Sequence, residues 1–254
     1  GNNMKKDITV IIPTMWKSKD LPQLLTTLYD SSWVQEVLLI DNDPVARENY
    51  KNTHFKQNLD QWHSIINHHK LKIIYEGPNL YVNPSWNLGI KKASNDWIIF
   101  SNDDLVFNMP QMESILHQAK ESDGIIGTGT NCYEFRRGGH VLPESPTINQ
   151  LHGGRRQGWG CLIVIHKNNF QPIPEDIKIN CGDDWLQAYS NNNIGRSSVI
   201  EGMNVTSAEN KFNTTITSVG VFDQAMEDIK IWRRISQDIT WDPNQKKLIG
   251  KYIK

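Results

Sequence analysis

"WIIFSNDDLVFN", residues 97–108, opens with an apolar run and then gathers polar and acidic side chains. The run predicts a buried strand that reaches solvent at Asn102, Asp103 and Asp104. Two interpretations of these three residues are open. Asn and Asp favour a solvated turn because their side chains bond the nearby backbone. Two carboxylates at a rigid strand end also suit Mg²⁺ or Mn²⁺, with coordination positions left for a phosphate-bearing substrate.

The composition is that of an ordinary globular protein. The 254 residues suffice for one large domain or two small ones, and 38% of them are hydrophobic and 22% charged. A formal net charge of −1 gives no electrostatic basis for nucleic acid or an anionic membrane as the main partner. No apolar run approaches the ~20 residues of a membrane span, so we expect none.

The cysteines are Cys132, Cys161 and Cys181, an odd number without CxxC spacing. This pattern favours reduced thiols over a disulfide framework or a zinc site. We therefore expect a cytoplasmic protein.

Predicted strands and helices alternate in the first half of the chain. The predicted strands are short apolar runs, at residues 8–12, 36–41, 71–76, 97–100, 124–129 and 161–165. The predicted helices have helical apolar spacing or a capping pattern, at residues 21–30, 83–94, 110–121, 183–191 and 223–237. Asp20 and Asn83 are the predicted caps of the first two helices. This order predicts an α/β fold with a Rossmann-like, mostly parallel sheet flanked by helices.

Three polar strand ends are predicted to meet at one edge of this sheet. They are Pro13-Thr14, Asp41 and residues 102–104. Ligands of open parallel sheets bind beyond the carboxyl ends of the strands, where the strand order switches. The convergence therefore favours a ligand site over a solvated turn.

The turn after the first strand, IPTMWKSKD at residues 12–20, lacks the usual phosphate-binding patterns. It contains neither the Gly-x-Gly-x-x-Gly of dinucleotide-binding folds nor the Gly-x-x-x-x-Gly-Lys of a P-loop. A Gly-rich loop of the kind that sugar nucleotidyltransferases carry is also missing. If a phosphate binds here, a metal held by carboxylates is the simplest way to neutralise it.

Four stretches together resemble a family 2-type glycosyltransferase of the GT-A fold. They are ITVIIPT (8–14), VLLIDND (37–43), GPNLYVNPSWNLGIKKASNDWIIFSNDD (77–104) and GDDW (182–185). The third is the most specific, because an Asn, an Asn–x–Gly, an apolar strand and an acidic motif follow in order. The resemblance covers roughly residues 7–190. Because the sequence has no clear linker, we expect one domain over residues 4–254, with a nucleotide-sugar-binding half at about 7–129 and an acceptor-binding half at about 130–254.

The resemblance implies roles for matching residues of the first half. Pro13 and Thr14 would border the nucleobase and ribose. Asp41 would accept a hydrogen bond from a pyrimidine N–H, with turn formation as its alternative role. Asn79 and Asn87 would line the base pocket.

Residues 102–104 stand where the family has Asp-x-Asp, with Asn102 replacing the first Asp. By resemblance Asp104 is the metal ligand, and Asp103 contacts the ribose or the metal. Asn102 still offers a carbonyl oxygen. The site has one negative charge fewer, so we expect weaker metal binding.

Asp183 and Asp184 stand where the family has a Glu-Asp pair. An inverting transferase needs a base that takes the proton from the acceptor hydroxyl. The resemblance assigns this role to Asp184, with Asp183 as the second candidate. Capping of the helix is the other role open to either acid, because acids stabilise a first helical turn.

Two further pairs near this site have open interpretations. Arg155 and Arg156 either bind a diphosphate or an anionic acceptor, or belong to a solvated loop. Trp159 and Trp185 either stack on a sugar ring or lie in the core.

The resemblance thus implies a metal-dependent inverting glycosyltransferase. It would move a sugar from a nucleotide-diphosphate donor, with UDP as the expected nucleotide, to a hydroxyl of a glycan or related acceptor, using Mn²⁺ or Mg²⁺. Two other classes stay open. The missing Gly-rich first loop disfavours a sugar nucleotidyltransferase, and the paired acids at both expected places disfavour a non-catalytic nucleotide-sugar-binding domain.

Overall fold

The computed structural model describes residues 5–212 and 221–254. The strands are β1 (Ile8–Thr14), β2 (Val34–Asp41), β3 (Leu71–Glu76), β4 (Trp97–Ser101), β5 (Val106–Phe107), β6 (Ile126–Thr128), β7 (Thr147–Gln150), β8 (Leu162–His166), β9 (Ser198–Glu201), β10 (Val205–Thr206), β11 (Thr240–Asp242) and β12 (Lys247–Ile249). The helices are α1 (Leu21–Tyr29), α2 (Pro44–His54), α3 (Leu59–Ile66), α4 (Val82–Lys92), α5 (Met109–Gln118), α6 (Glu134–Arg137), α7 (Gly182–Asn193) and α8 (Val221–Asp238).

One eight-stranded sheet, in the order β3-β2-β1-β4-β8-β6-β9-β7, joins both halves of the chain. The first four strands in this order are parallel. Beyond them β8 runs antiparallel to β4 and β6, β9 is parallel to β6, and β7 is antiparallel to β9. The predicted α/β fold with a mostly parallel sheet is confirmed, and each antiparallel pair in this sheet contains β7 or β8, which follow residue 130.

Both faces of the central strands are covered, which explains their continuous apolar sequence. Val10 and Ile12 of β1 pack in one buried cluster with the leucines of α1. Ile11 points to the other face, where it belongs to a cluster with Trp86 of α4. A Cβ at Gly89 would lie 2.6 Å from Ile11 Cγ2, so the glycine of the Asn–x–Gly pattern lets α4 approach the sheet.

The predicted elements are found, with ends that differ by a few residues, but both predicted caps are wrong. Asp20 precedes α1 without capping it, and its carboxylate accepts the N–H of Ala208 at 2.7 Å. The helix α4 starts at Val82, one residue before Asn83, and its cap position is Tyr81. The buried Asn83 side chain bonds a distant loop instead.

Several elements were not predicted from the sequence. The helix α2 carries a local signal, because Asp43 accepts the N–H of Ala46 and Pro44 follows directly. The two-residue strands and the hairpin of β11 and β12 are too short for a periodic pattern. Among the described residues, none of the helices has both the length and the apolar character for crossing a bilayer. The three cysteines are free thiols.

Candidate active site

A cavity of about 240 Å³ opens at the switch point of the sheet, where β1 lies between β2 and β4. Its wall includes Pro13 and Thr14 at the end of β1. Asn79 and Tyr81, before α4, line it as well, and residues 102–104 after β4 close another side. Two of the three predicted polar strand ends therefore share one cavity.

Thr14 and Asp103 tie the ends of β1 and β4 together. The Thr14 hydroxyl donates to Asp103 Oδ2 at 2.7 Å and accepts the backbone N–H of Trp16 at 2.9 Å. Burial raises the pKa of Asp103 to about 6, although the Thr14 hydrogen bond and the charge of Lys17 lower it. The carboxylate is thus held at the cavity in a fixed position.

Asp104 is buried, with 5% of its surface exposed. The Asn102 N–H donates to the Cys161 carbonyl at 3.0 Å, which joins the acidic motif to the loop before β8. Burial, together with the charges of Asp104 and Asp183, raises the pKa of the Cys161 thiol to about 12. The thiol therefore lies near both carboxylates, between the two acidic sites.

Asp183 and Asp184 lie in the first turn of α7. The Asp183 carboxylate packs against Gly160, where a Cβ would come within 2.3 Å of Oδ2. Its Oδ1 accepts the N–H of Asp184 at 3.0 Å. Burial raises the pKa of Asp183 to about 6, and Arg155 opposes that rise.

Arg155 binds both acids of this pair. Its Nε lies 3.0 Å from Asp184 Oδ1 and 3.3 Å from Asp183 Oδ2. The neighbouring carboxylates, Asp183 first, raise the pKa of the guanidinium. A cation that contacts two carboxylates reduces the electrostatic repulsion between them.

Three residues beside the site have left-handed backbone. Their backbone φ angles are positive: 60° at Trp16, 68° at Tyr81 and 65° at Cys181. Residues other than glycine rarely adopt this backbone conformation. Trp16 follows the β1 end, Tyr81 lines the cavity, and Cys181 directly precedes α7. Such a backbone costs on the order of 1–3 kcal/mol per residue and persists where the surrounding structure enforces it.

The sequence profile of "Glycosyl transferase family 2" matches residues 9–171, well over half of the chain. The chain belongs to this family. The family that the resemblance indicated is thereby confirmed. The acid pair of α7 lies beyond the matched residues. No curated protein matches the sequence closely.

Solved glycosyltransferase structures share the fold. S. aureus TarS 1–349 in complex with UDP matches at a TM-score of 0.52 and 16% identity, over 79% of this chain and 60% of that one. The mannosyltransferase PcManGT from Pyrobaculum calidifontis in complex with GDP-Man and Mn²⁺ matches at 0.56 and 13%, over 96% and 68%. GalNAc-T7 with UDP, GalNAc and Mn²⁺ matches at 0.53 and 12%, over 92% and 50%.

At such identities the matches establish the GT-A fold and nothing finer. The chain spans about three fifths of the length of the TarS fragment it matches. The activity of this chain, with any donor, acceptor or metal, therefore depends on its own residues.

Two predicted nucleotide-binding residues, Asp41 and Asn87, do not line the cavity. Asp41 has no exposed surface, and its carboxylate accepts Trp16 Nε1–H at 2.8 Å and pairs with Arg47 at 2.9 Å. Asp41 therefore does not share the cavity with the other two polar strand ends, and its geometry does not favour contact with a base N–H. The Asn87 amide bonds both the N–H and the carbonyl of Ile173, so it fixes a loop instead of facing the cavity.

The two tryptophans whose role the sequence left open are core residues. Trp159 and Trp185 have no exposed surface, and their indole N–H groups donate to Ser198 and Gln171 carbonyls. Neither can stack on a sugar without rearrangement. Asn79 does line the cavity, and its side-chain oxygen Oδ1 accepts a hydrogen bond from the backbone N–H of Tyr81 at 2.8 Å.

Sequence reasoning missed several residues of the cavity wall. They are Met15, Lys17, Ile179, Lys211 and Phe212. The first two lie in the turn after β1, so their place in the chain was a usable signal. The other three come from loops about 170 or more residues further on, and no local pattern indicates them.

Proposed function

We propose that this glycosyltransferase moves a sugar from a nucleotide-diphosphate donor, a UDP-sugar in our assignment, to an acceptor hydroxyl with inversion at the anomeric carbon. The observation that carries the proposal is the cavity at the switch point, walled by Asp103 and Asp104, with a second acid pair one loop away. A donor site and a base have to be neighbours for this chemistry.

The nucleoside would lie at the β1 side of the cavity. Pro13, Thr14 and Asn79 form that wall. Lys17 and Lys211 also line the cavity and bring positive charge to a diphosphate. TarS and GalNAc-T7 were crystallised with UDP, which supports the uridine assignment.

The acidic motif fits a divalent cation that is shared with the donor. Within residues 5–212 and 221–254, no three His, Cys, Asp or Glu side chains form a ligand cluster. Mg²⁺ is commonly held by one or two carboxylates plus substrate phosphates, and Asp103 and Asp104 supply that number at the cavity. Mn²⁺ or Mg²⁺ bound there would neutralise charge on the departing diphosphate.

Asp184 is the proposed base, with Asp183 as the second candidate. The carboxylate takes the proton of the acceptor hydroxyl while the acceptor oxygen forms a bond to the anomeric carbon. The bond from that carbon to the diphosphate breaks, and the nucleoside diphosphate leaves with the electron pair. Attack opposite to the leaving group inverts the configuration.

A uridine nucleotide should bind more tightly with Mn²⁺ or Mg²⁺ than with chelator. The reason is that two carboxylates at the cavity repel a diphosphate unless a cation stands between them. Titration calorimetry with UDP in Mn²⁺ and in EDTA measures the difference. Uridine, which lacks phosphates, is the matched control and should bind equally under both conditions. Equal UDP affinity with and without metal would remove the metal role from Asp103 and Asp104.

Replacing Arg155 by Gln should move the acid limb of the rate–pH profile to higher pH. Arg155 lowers the pKa of Asp183, which burial has raised to about 6, so its removal raises that pKa further. Less of Asp183, the second candidate for the base, is then ionised near neutral pH. Transfer rates across pH 5 to 9, roughly the range in which a tuned base titrates, provide the measurement. Arg156→Gln changes an exposed neighbour and should leave the limb in place; a limb that stays in place for Arg155→Gln would show that this ion pair does not tune the base.

The function is tested by donor turnover. The chain is incubated with Mn²⁺ and a panel of UDP- and GDP-sugars, and release of nucleoside diphosphate is measured with and without a panel of glycan acceptors. We expect release from one UDP-sugar, faster with acceptor. Pyrophosphate release from a nucleoside triphosphate and a sugar phosphate would instead indicate a nucleotidyltransferase, and binding without release would indicate a non-catalytic domain.

A further inference from the structure

The loop of residues 177–180, before α7, has no regular secondary structure, yet its backbone is almost fully hydrogen-bonded. Buried peptide groups need partners, and a loop usually finds them in water. Here most of the partners belong to two buried residues, Asn83 and Asp228. We call this arrangement the loop clamp.

Asp228 supplies the acceptors of the loop clamp. It lies on α8 and has no exposed surface. Its carboxylate accepts the backbone N–H groups of Lys178 at 3.0 Å, Ile179 at 2.6 Å and Asn180 at 2.9 Å. Gln224, one turn earlier, donates a fourth hydrogen bond at 2.8 Å. All four donors are N–H groups, so Asp228 acts only as an acceptor.

Asn83 supplies the donors. Its Nδ2 donates to the Ile177 carbonyl at 3.2 Å and to the Asn180 carbonyl at 3.0 Å, and its backbone N–H donates to the Lys178 carbonyl at 2.8 Å. The amide lies so close to the start of α7 that a Cβ at Gly182 would come within 2.2 Å of Oδ1. The clamp therefore holds the loop and the first residue of α7 together.

The clamped loop connects the two parts of the site. Ile179 lines the cavity, and Cys181, in left-handed conformation, leads directly to Asp183 and Asp184. A shift of the loop would move the cavity wall and the acid pair at the same time. Such displacements of about 1 Å can cost roughly 10²-fold in rate.

We propose that Asp228 is a positioning residue of the active site. Together with Asn83 it fixes residues 177–180, and so sets the distance between the donor cavity and the acid pair. This inference rests on the proposed function for its kinetic part alone. It makes the helix α8, which lies outside the residues matched by the family profile, a structural component of the site.

Asp228→Asn is the test, and Glu227→Gln is its matched control. In Asp228→Asn an NH2 group, which donates hydrogen bonds, would replace one of the two oxygens that now accept hydrogen bonds from the loop N–H groups. Glu227 is adjacent and exposed, so Glu227→Gln makes the same change of charge without touching the loop. Hydrogen exchange of residues 178–180, UDP affinity with Mn²⁺ and the rate of UDP release are measured well below the unfolding temperature of each variant.

In Asp228→Asn we expect the three amides to exchange faster, UDP affinity to fall a few-fold and turnover to fall roughly 10- to 100-fold. Glu227→Gln should match the unaltered chain in all three measurements. If Asp228→Asn does not fold, Asn83→Ala removes the donors from the other side and should give the same three changes. Faster exchange with unaltered UDP affinity and turnover would overturn the proposal, because the loop would then move without moving the site.

The outcomes keep this proposal separate from the proposed function. A chain that binds UDP with metal but releases UDP from no donor counts against the proposed function. In that case, hydrogen exchange and UDP affinity test the positioning role of Asp228. If Asp228→Asn changes both measurements, the proposal is supported; if either measurement is unchanged, the proposal is overturned.

Discussion

Replacing Asp184 by Asn is expected to slow sugar transfer by roughly 10²- to 10⁴-fold, which is the usual contribution of a positioned general base. The amide has the same shape as the carboxylate, but it cannot take the proton of the acceptor hydroxyl. Affinity for the donor and the metal should stay almost unchanged, because Asp184 does not line the cavity. Donor affinity by calorimetry and transfer rate by nucleoside diphosphate release test both parts.

Asp183→Asn is the matched comparison. Its carboxylate packs on Gly160 and accepts the Asp184 N–H, so the change should disturb the position of the pair more than its chemistry. We expect an intermediate loss of rate. If Asp183→Asn abolishes transfer while Asp184→Asn is near the unaltered rate, the two roles are exchanged. If both variants stay active, the base lies outside GDDW.

Asp104→Asn should show the opposite pattern and lose metal-dependent donor binding first. Removing one of two carboxylates from the cavity lowers the negative charge that holds a divalent cation, and losses of about 10–100-fold or more in metal affinity are typical. UDP affinity in Mn²⁺ should fall toward its value in EDTA, and turnover should fall with it. Calorimetry with Mn²⁺ and UDP gives the measurement.

Asn102→Asp is the reciprocal variant for this site. It restores the acid that the family pattern has in first place, so Mn²⁺ should bind more tightly than to the unaltered chain. Uridine affinity should be the same in both variants, since it depends on neither carboxylate. An Asp104→Asn chain that binds UDP with Mn²⁺ at full affinity would exclude Asp104 as a ligand.

The edge of the sheet was predictable because its signals are local. A strand such as β4 is a short apolar run, and the polar residues that follow it in the sequence also follow it in space. Parallel pairing then brings the ends of β1 and β4 to one cavity by geometry alone. Residues 13, 14 and 102–104 were found in this way.

The errors concern side chains whose partners are far away in the sequence. Asp20 and Asn83 have the local context of caps, but Asp20 bonds Ala208, 188 residues later, and Asn83 bonds Ile177 and Asn180. Asp41 ends a strand as predicted, yet Arg47 and Trp16 occupy its carboxylate. Local sequence patterns indicate the position of a residue in a strand or helix, whereas the tertiary structure determines the hydrogen-bond partners of its side chain.

The left-handed backbone of Trp16, Tyr81 and Cys181 has a thermodynamic consequence. The unfavourable conformations are adopted when the chain folds, before any nucleotide arrives. Binding then loses little backbone entropy at these turns, because the flexibility has already been given up. The strained backbone makes the folded chain less stable. Substitutions that relax these turns would therefore raise the melting temperature, but the site would be less well ordered for binding and catalysis.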